Sequence, residues 1–255
     1  FRPQHELSVL KWRKERVAEL KKGRGWLSLA GLFWLKEGVN TMGSAKDRDI
    51  VFPPHAPAHV GAVILKDRVP HIKLAKGVDA IYDGMPVTER DLRTDVDPAV
   101  PADRIYMPPF TFLVIMRGGK PALRLYDAKA KTLSEFKGID YYPMDPKWRI
   151  AARYEAYPEP RTVEVSTAIS TTEKVVVPGE LHFVIDGQSH TLQPMSYEGV
   201  DELYLMFGDR TNGKGSYGGG RFLEVPKPED GKTVLDFNRA YNPPCYFTNF
   251  ATCPL

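Results

Sequence analysis

The stretch Phe110-Thr-Phe-Leu-Val-Ile-Met116, then Gly118-Gly119, then Ala122-Leu-Arg-Leu-Tyr126 decides the fold class. Two runs of apolar and β-branched residues meet at a Gly-Gly step, and that pattern reads as a β-hairpin. The same pattern repeats outward. Asp83-Gly84 separates the short apolar runs 80–82 and 85–87, and Asp186-Gly187 separates 180–185 from 190–194. Upstream, the runs 26–34, 50–52, 60–65 and 71–74 alternate with Gly, Pro and Asp. Downstream, 148–154, 162–166, 203–207, 221–225 and 233–238 complete the set of candidate strands. The chain's 22 Pro and 21 Gly suit many turns between short strands. The reading is a mainly β protein.

One segment departs from it. Residues 5–22 are rich in Glu and Lys, lack Pro, and leave a narrow apolar stripe of Val9, Leu10, Val17 and Leu20, so a helix is predicted there, stopping near Gly23. The bases within 11–22 are interrupted by Glu15 and Glu19 and read as a solvated helix face. Over the whole chain 35 basic residues meet 32 acidic ones, a net +3, which gives no footprint for nucleic acid. The longest apolar run, 26–35, is too short to span a bilayer, which needs about 20 residues. The aromatic, proline-bearing segment from Gly138 to Trp148 reads as a junction. The expected organisation is an N-terminal helix over 1–23, a β domain over 24–135 and a C-terminal antiparallel β-barrel or sandwich over 136–255.

Two resemblances follow from longer strings. Gly43-Ser-Ala-Lys-Asp-Arg-Asp49-Ile50, followed by Ala56-Pro-Ala-His59, resembles the forkhead-associated signature, which implies a β-sandwich over 24–135. In that family an Arg and a Ser grip phosphothreonine. Here Ser44 and Ala56 stand in their places, so the resemblance implies the fold without phosphothreonine recognition, because a dianionic phosphate needs charge-assisted donors. His59 is then expected as a scaffold residue hydrogen-bonded across its loop. His55 and His59 are two ligands at most, short of a metal site. The second resemblance covers nearly the full chain. The strings Gly25-Trp-Leu-Ser-Leu-Ala-Gly-Leu-Phe-Trp-Leu-Lys-Glu-Gly38, Gly208-Asp-Arg-Thr-Asn-Gly213 with Tyr217-Gly-Gly-Gly-Arg221, and Asp236-Phe-Asn-Arg-Ala-Tyr-Asn-Pro-Pro-Cys245 followed by Cys253-Pro look like the domain-of-unknown-function family 1684. Its members are typically bacterial and often exported, and no activity comes with the name. The family's sequence commonly continues a little beyond the second Cys-Pro. Phe1 in place of Met is expected to reflect either a removed leader or a trimmed chain, and the resemblance implies an exported location: periplasmic, lipid-anchored or extracellular. The same compartment implies a disulfide between Cys245 and Cys253, with two separately buried thiols as the other possibility.

Candidate chemistry gathers in the C-terminal strings. Strand parity places Asp209 beyond Leu203, Leu205 and Phe207 on one face, and Asp236 with Val234 and Asn238 on another. Arg221 opens the intervening strand, and Tyr217, Tyr241 and Asn242 lie in adjacent loops. These seven residues, Asp209, Tyr217, Arg221, Asp236, Asn238, Tyr241 and Asn242, either line a pocket for a small polar ligand or form a buried network in which Arg221 bridges Asp209 and Asp236. The glycines at 208 and 213 with Lys214 mimic a phosphate loop. Gly215 replaces its hydroxyl residue and no helix can start at Tyr217-Gly-Gly-Gly220, so the cradle is not built. Glu180 and His182 share a strand face, and Cys245 with His182 is a thin nucleophile pair. The sequence therefore reads as an exported binding or scaffold protein with an unidentified small-molecule or protein partner, no cofactor and no metal. A hydrolase or lyase using the carboxylates is the alternative.

Overall fold

In a computed structural model, residues 3–97 and 99–254 are described. Phe1, on which the removed leader was argued, lies outside them. The chain divides into two compact units, one of Leu20–Phe136 and one of Phe1–Glu19 with Lys137–Leu255.

The Leu20–Phe136 unit contains β1 (Leu29–Trp34), β2 (Gly38–Gly43), β3 (Ile50–Val51), β4 (Gly61–Lys66), β5 (Val69–Leu74), β6 (Ile81–Tyr82), β7 (Met85–Pro86), β8 (Glu89–Asp91), β9 (Ile105–Met107), β10 (Phe110–Arg117) and β11 (Lys120–Asp127). A six-stranded sheet runs β1-β11-β10-β9-β6-β7 and a five-stranded sheet runs β3-β2-β4-β5-β8. Both send side chains into one core. Met42, Ile50, Val63 and Ile72 come from the second sheet, and Ile105, Phe112, Val114, Leu123 and Leu125 from the first. This is a two-sheet sandwich held by burial of alternate residues. The hairpin of β10 and β11 pairs from Phe110 opposite Asp127 to Arg117 opposite Lys120, and Gly118 and Gly119 both take positive φ at its turn. Asp83-Gly84 does the same between β6 and β7. Gly43 is required sterically, since a Cβ there would sit 2.2 Å from the Ala58 carbonyl oxygen.

In the other unit, α1 (Pro3–Leu20), which belongs to it as far as Glu19, precedes β12 (Arg149–Ser166), β13 (Thr172–Ile185), β14 (Gln188–Leu192), β15 (Leu203–Phe207), β16 (Arg221–Val225) and β17 (Lys232–Asp236). The sheets are β14-β13-β12-β17 and the pair β15-β16. Ala152, Leu181, Phe183, Leu203, Leu205, Leu223, Val225 and Leu235 form their shared core. Neither sheet closes on itself, so the barrel expected as one option is not formed. Two readings are corrected here. The runs 148–154 and 162–166 belong to a single strand, β12, whose pairing with β13 shifts register between Ala156 and Arg161. The strand over 233–238 stops at Asp236, and Phe237–Arg239 is a 3-10 turn, so Asn238 is not in strand parity with Asp236. No helix among the described residues is long and apolar enough to cross a membrane.

Candidate functional site

Strand β16 starts at Arg221, and the loop before it carries Asp209. The guanidinium of Arg221 pairs with the Asp209 carboxylate and lies 5.2 Å from the ring centroid of Phe207 and 5.7 Å from that of Tyr142. Asp209 also accepts from the Thr211 amide at 2.8 Å and from the Thr211 hydroxyl, while its own amide donates to Asn212 Oδ1 at 2.8 Å. Burial pushes the Asp209 carboxyl upward, but the Thr211 bonds and Arg221 outweigh it and hold the group below its usual range. Thr211 and Ser216 share a hydroxyl bond at 2.7 Å, closing this glycine-rich loop on itself rather than around a phosphate.

A second knot forms where β17 turns into the 3-10 segment. Asp236 lies opposite the buried Leu235, as parity requires. It accepts from His5 Nε2 at 2.6 Å and from Asn238 Nδ2 at 3.0 Å, with Arg239 Nε 3.4 Å away. Asn238 is 7% exposed. Its amide bonds both ways to the Asp145 backbone, accepting from N–H at 3.0 Å and donating to the carbonyl at 3.1 Å. Arg239 reaches back to the Ser8 hydroxyl at 2.7 Å. No ion pair joins Arg221 to Asp236 among the described residues, so the single bridging Arg of the sequence reading is replaced by separate partners for each carboxylate.

The two knots are linked by side chains from α1. Arg13 donates to the carbonyls of Tyr142 at 3.0 Å and Asn238 at 3.5 Å, and its guanidinium lies 4.4 Å over the Tyr141 ring. Arg16 donates to the Asn242 carbonyl at 3.0 Å and lies 3.6 Å over the Tyr241 ring. Trp12 packs against the rings of Tyr141 and Tyr241, with centroids at 6.3 and 6.1 Å. Burial lowers both arginines' pKa values. This corrects the reading of 11–22 as a uniformly solvated face: Trp12, Arg13 and Arg16 turn inward, stacking on tyrosines and capping carbonyls. Tyr241 donates to Glu224 Oε1 at 3.1 Å, and burial pushes its phenol pKa up. The Tyr217 amide donates to Asn242 Oδ1 at 3.1 Å.

Cys245 and Cys253 are free thiols in this structure, so the expected linkage is not formed here. They are nonetheless neighbours. Hydrogen bonding from Cys253, with a further contribution from the Tyr217 hydroxyl, brings the half-buried Cys245 down to about 7 against the opposing effect of burial. The buried Cys253 moves upward for the complementary reason. His182 lies elsewhere in its contacts, bonded to Thr191 and 3.6 Å from both Glu155 and Glu180.

In the other unit, Ser44 donates to the Ala56 carbonyl at 2.7 Å, and Asp49 caps the Thr41 amide and hydroxyl. His59 is exposed and makes no side-chain hydrogen bond among the described residues, which corrects its expected role; its loop is tied instead by the Ser44 and Ala45 amides. His55 stacks on Phe110 and sits 3.1 Å from the buried Asp127. No group of three or more His, Cys, Asp or Glu residues placed to hold a metal occurs among the described residues.

Residues 134–255 match the family described as "Protein of unknown function (DUF1684)". An uncharacterized protein of Haloarcula marismortui, known from a solution NMR structure, is 32% identical to this chain, over 48% of this chain and 69% of its own, with a TM-score of 0.41. The chain belongs to the DUF1684 family. Two FHA domains are also similar in structure. The FhaA FHA domain, solved with an intracellular domain of another protein, is 17% identical over 36% of this DUF1684 chain and 85% of its own. A second, from work on phosphothreonine-dependent FHA interactions, is 16% identical over 38% of this chain and 95% of its own. Both have TM-scores of 0.25, a distance at which neither bears on what this chain binds. No curated protein sequence matches the chain.

The sequence reading missed His5, Arg13, Arg16 and Arg239. Arg239 directly follows the chosen Asn238 and lies two residues before the chosen Tyr241. The other three lie more than 130 residues upstream, and only the spacing of Arg13 and Arg16, one helical turn apart beside Trp12, pointed to them.

Proposed function

We propose that this DUF1684 protein is an exported, non-catalytic binding or scaffold protein, and that its C-terminal polar cluster is a structural network. The observation that carries this is the commitment of both candidate carboxylates: Asp209 to Arg221 and Thr211, and Asp236 to His5, Asn238 and Arg239. A general acid or base needs a proton-accepting atom facing a reactant, whereas these oxygens face donors of the same chain. Networks of this kind fix loop geometry. Export rests on the family resemblance, and in an oxidising compartment the neighbouring thiols of Cys245 and Cys253 would close into a disulfide. Ser44 and Ala56 supply no charged donor for phosphothreonine. The test is Asp236→Ala. Lost thermal stability supports the network, and unchanged stability with loss of a ligand or activity overturns it.

A further inference from the structure

A cleft of about 590 Å³ opens in the Leu20–Phe136 unit, lined by Lys22, Arg24, Arg104, Tyr106, Thr111 and Tyr126 with Gly23. Its floor follows from strand register. Thr111 of β10 pairs directly with Tyr106 of β9 on one side and Tyr126 of β11 on the other. Residues directly opposite on adjacent strands project to the same face. The three hydroxyl side chains therefore form a row across the sheet, on the face away from the core residues Phe110, Phe112, Leu125 and Ile105. Arg104 stands two residues before Tyr106. Arg24 donates to the Tyr106 hydroxyl and lies 5.4 Å from its ring centroid.

The charge of this cleft is one-sided. Its lining contains three cationic residues and no carboxylate. Asp103 and Asp127, the acids beside Arg104 and Tyr126 in sequence, are committed elsewhere. Asp103 is buried and held by Arg93 at 2.8 Å, Tyr82 at 3.0 Å and Arg90 at 3.4 Å, and Asp127 is buried beside His55. Among the described residues neither Arg24 nor Arg104 has an ion-pair partner. In a chain whose 35 bases are nearly matched by 32 acids, this local excess is not a consequence of composition. The volume falls in the range of small-molecule sites, roughly 300–1,000 Å³.

We infer that this cleft is a binding site for a small organic phosphate ester. Arg24 and Arg104 take the oxyanion through charge-assisted bonds, and the row of Tyr106, Thr111 and Tyr126 hydroxyls meets the hydroxyl groups of the esterified moiety. None of its lining residues belongs to the loops carrying Ser44 and Ala56, so it is not a phosphothreonine site of the forkhead-associated kind. The inference rests on the reading of the chain as a binding protein and gives that protein a ligand class.

Calorimetric titration of the full chain with glucose 6-phosphate, inorganic phosphate and glucose tests it. Glucose 6-phosphate should bind with a Kd below about 1 mM, inorganic phosphate about tenfold more weakly, and glucose not at all. The double variant Arg24→Gln/Arg104→Gln, at two exposed positions, should weaken glucose 6-phosphate binding by at least about tenfold. The control Lys66→Gln/Lys76→Gln removes the same charge from exposed positions elsewhere in the unit and should bind as the parent does. Absence of saturable binding, equal binding by the double variant, or equal affinity for inorganic phosphate would overturn the inference. Release of phosphate during titration, with binding still lost in the double variant, would support the site and instead sink the non-catalytic reading.

Discussion

Replacing Asn238 by alanine isolates the contribution of the network most cleanly, because the side chain is 7% exposed and its bonds are few and defined. Two of them, at 3.0 and 3.1 Å, tie the Asp145 backbone. The third, at 3.0 Å, is donated to the Asp236 carboxylate. A neutral bond contributes about 1 kcal/mol net and one to a charged group about 1.5–3 kcal/mol. Asp236 keeps His5 and Arg239, and Asp145 is only half-buried, so part of the loss is recovered by those partners and by water. The expected cost is about 2–4 kcal/mol. For a protein of this size that lowers the melting temperature by roughly 5–15 °C. Differential scanning calorimetry reads the shift. Hydrogen exchange supplies a local check, since the Asp145 amide loses its acceptor and should exchange faster while the β10–β11 amides do not change. A melting temperature within about 1 °C of the parent, with the Asp145 amide still protected, would refute the reasoning.

Three further outcomes follow from the same geometry. The Asp209 carboxyl is held below its unfolded pKa, so its stabilisation is present above that value and lost as pH falls through the folded one. Thermal stability should drop on acidification below about pH 4, and Asp209→Asn should flatten that limb; an unchanged acid limb in the variant would contradict the assignment. In the reduced protein iodoacetamide should modify Cys245 before Cys253, with a rate midpoint near pH 7, and mild oxidation should give an intact mass two hydrogens lighter; prior labelling of the buried Cys253 would contradict the pairing. A phosphothreonine peptide library should show no phosphate-dependent micromolar binding that Ser44→Ala abolishes, and binding of that kind would contradict the reading of Ser44 and Ala56.

The β-rich fold was legible wherever turn chemistry was explicit. Asp83-Gly84, Gly118-Gly119 and Asp186-Gly187 all take the left-handed conformations that glycine permits. The turn joining β4 to β5 was less legible, because Asp67 and Arg68 adopt positive φ there without any glycine. Strand β12 read as two strands because Pro158 and Pro160 interrupt it. It survives because β17 pairs only with the Arg149–Arg153 end. The prolines therefore sit at a register shift on a half-strand that is an edge, where a missing amide donor is tolerated. In the polar cluster, Asp209, Arg221 and Asp236 were visible from strand ends and parity. Asn238 was chosen for a parity it does not have and acts through the 3-10 turn instead. His5, Arg13 and Arg16 were hidden because long-range packing, not local pattern, turns that face of α1 inward. The basic cleft was invisible for a similar reason: Tyr106, Thr111 and Tyr126 become a row only once the sheet register is known.

The central claim, that the C-terminal carboxylates hold structure and do not perform chemistry, is tested most directly by the melting temperature of Asp236→Ala. The carboxylate is 14% exposed and meets His5, Asn238 and Arg239, so its removal leaves two basic groups and an amide facing a void. Loss of one partner from a largely buried charged set costs about 2–4 kcal/mol, or roughly 5–15 °C. The account predicts a fall in that range. A variant that melts within about 1 °C of the parent while losing a ligand or an activity would contradict it.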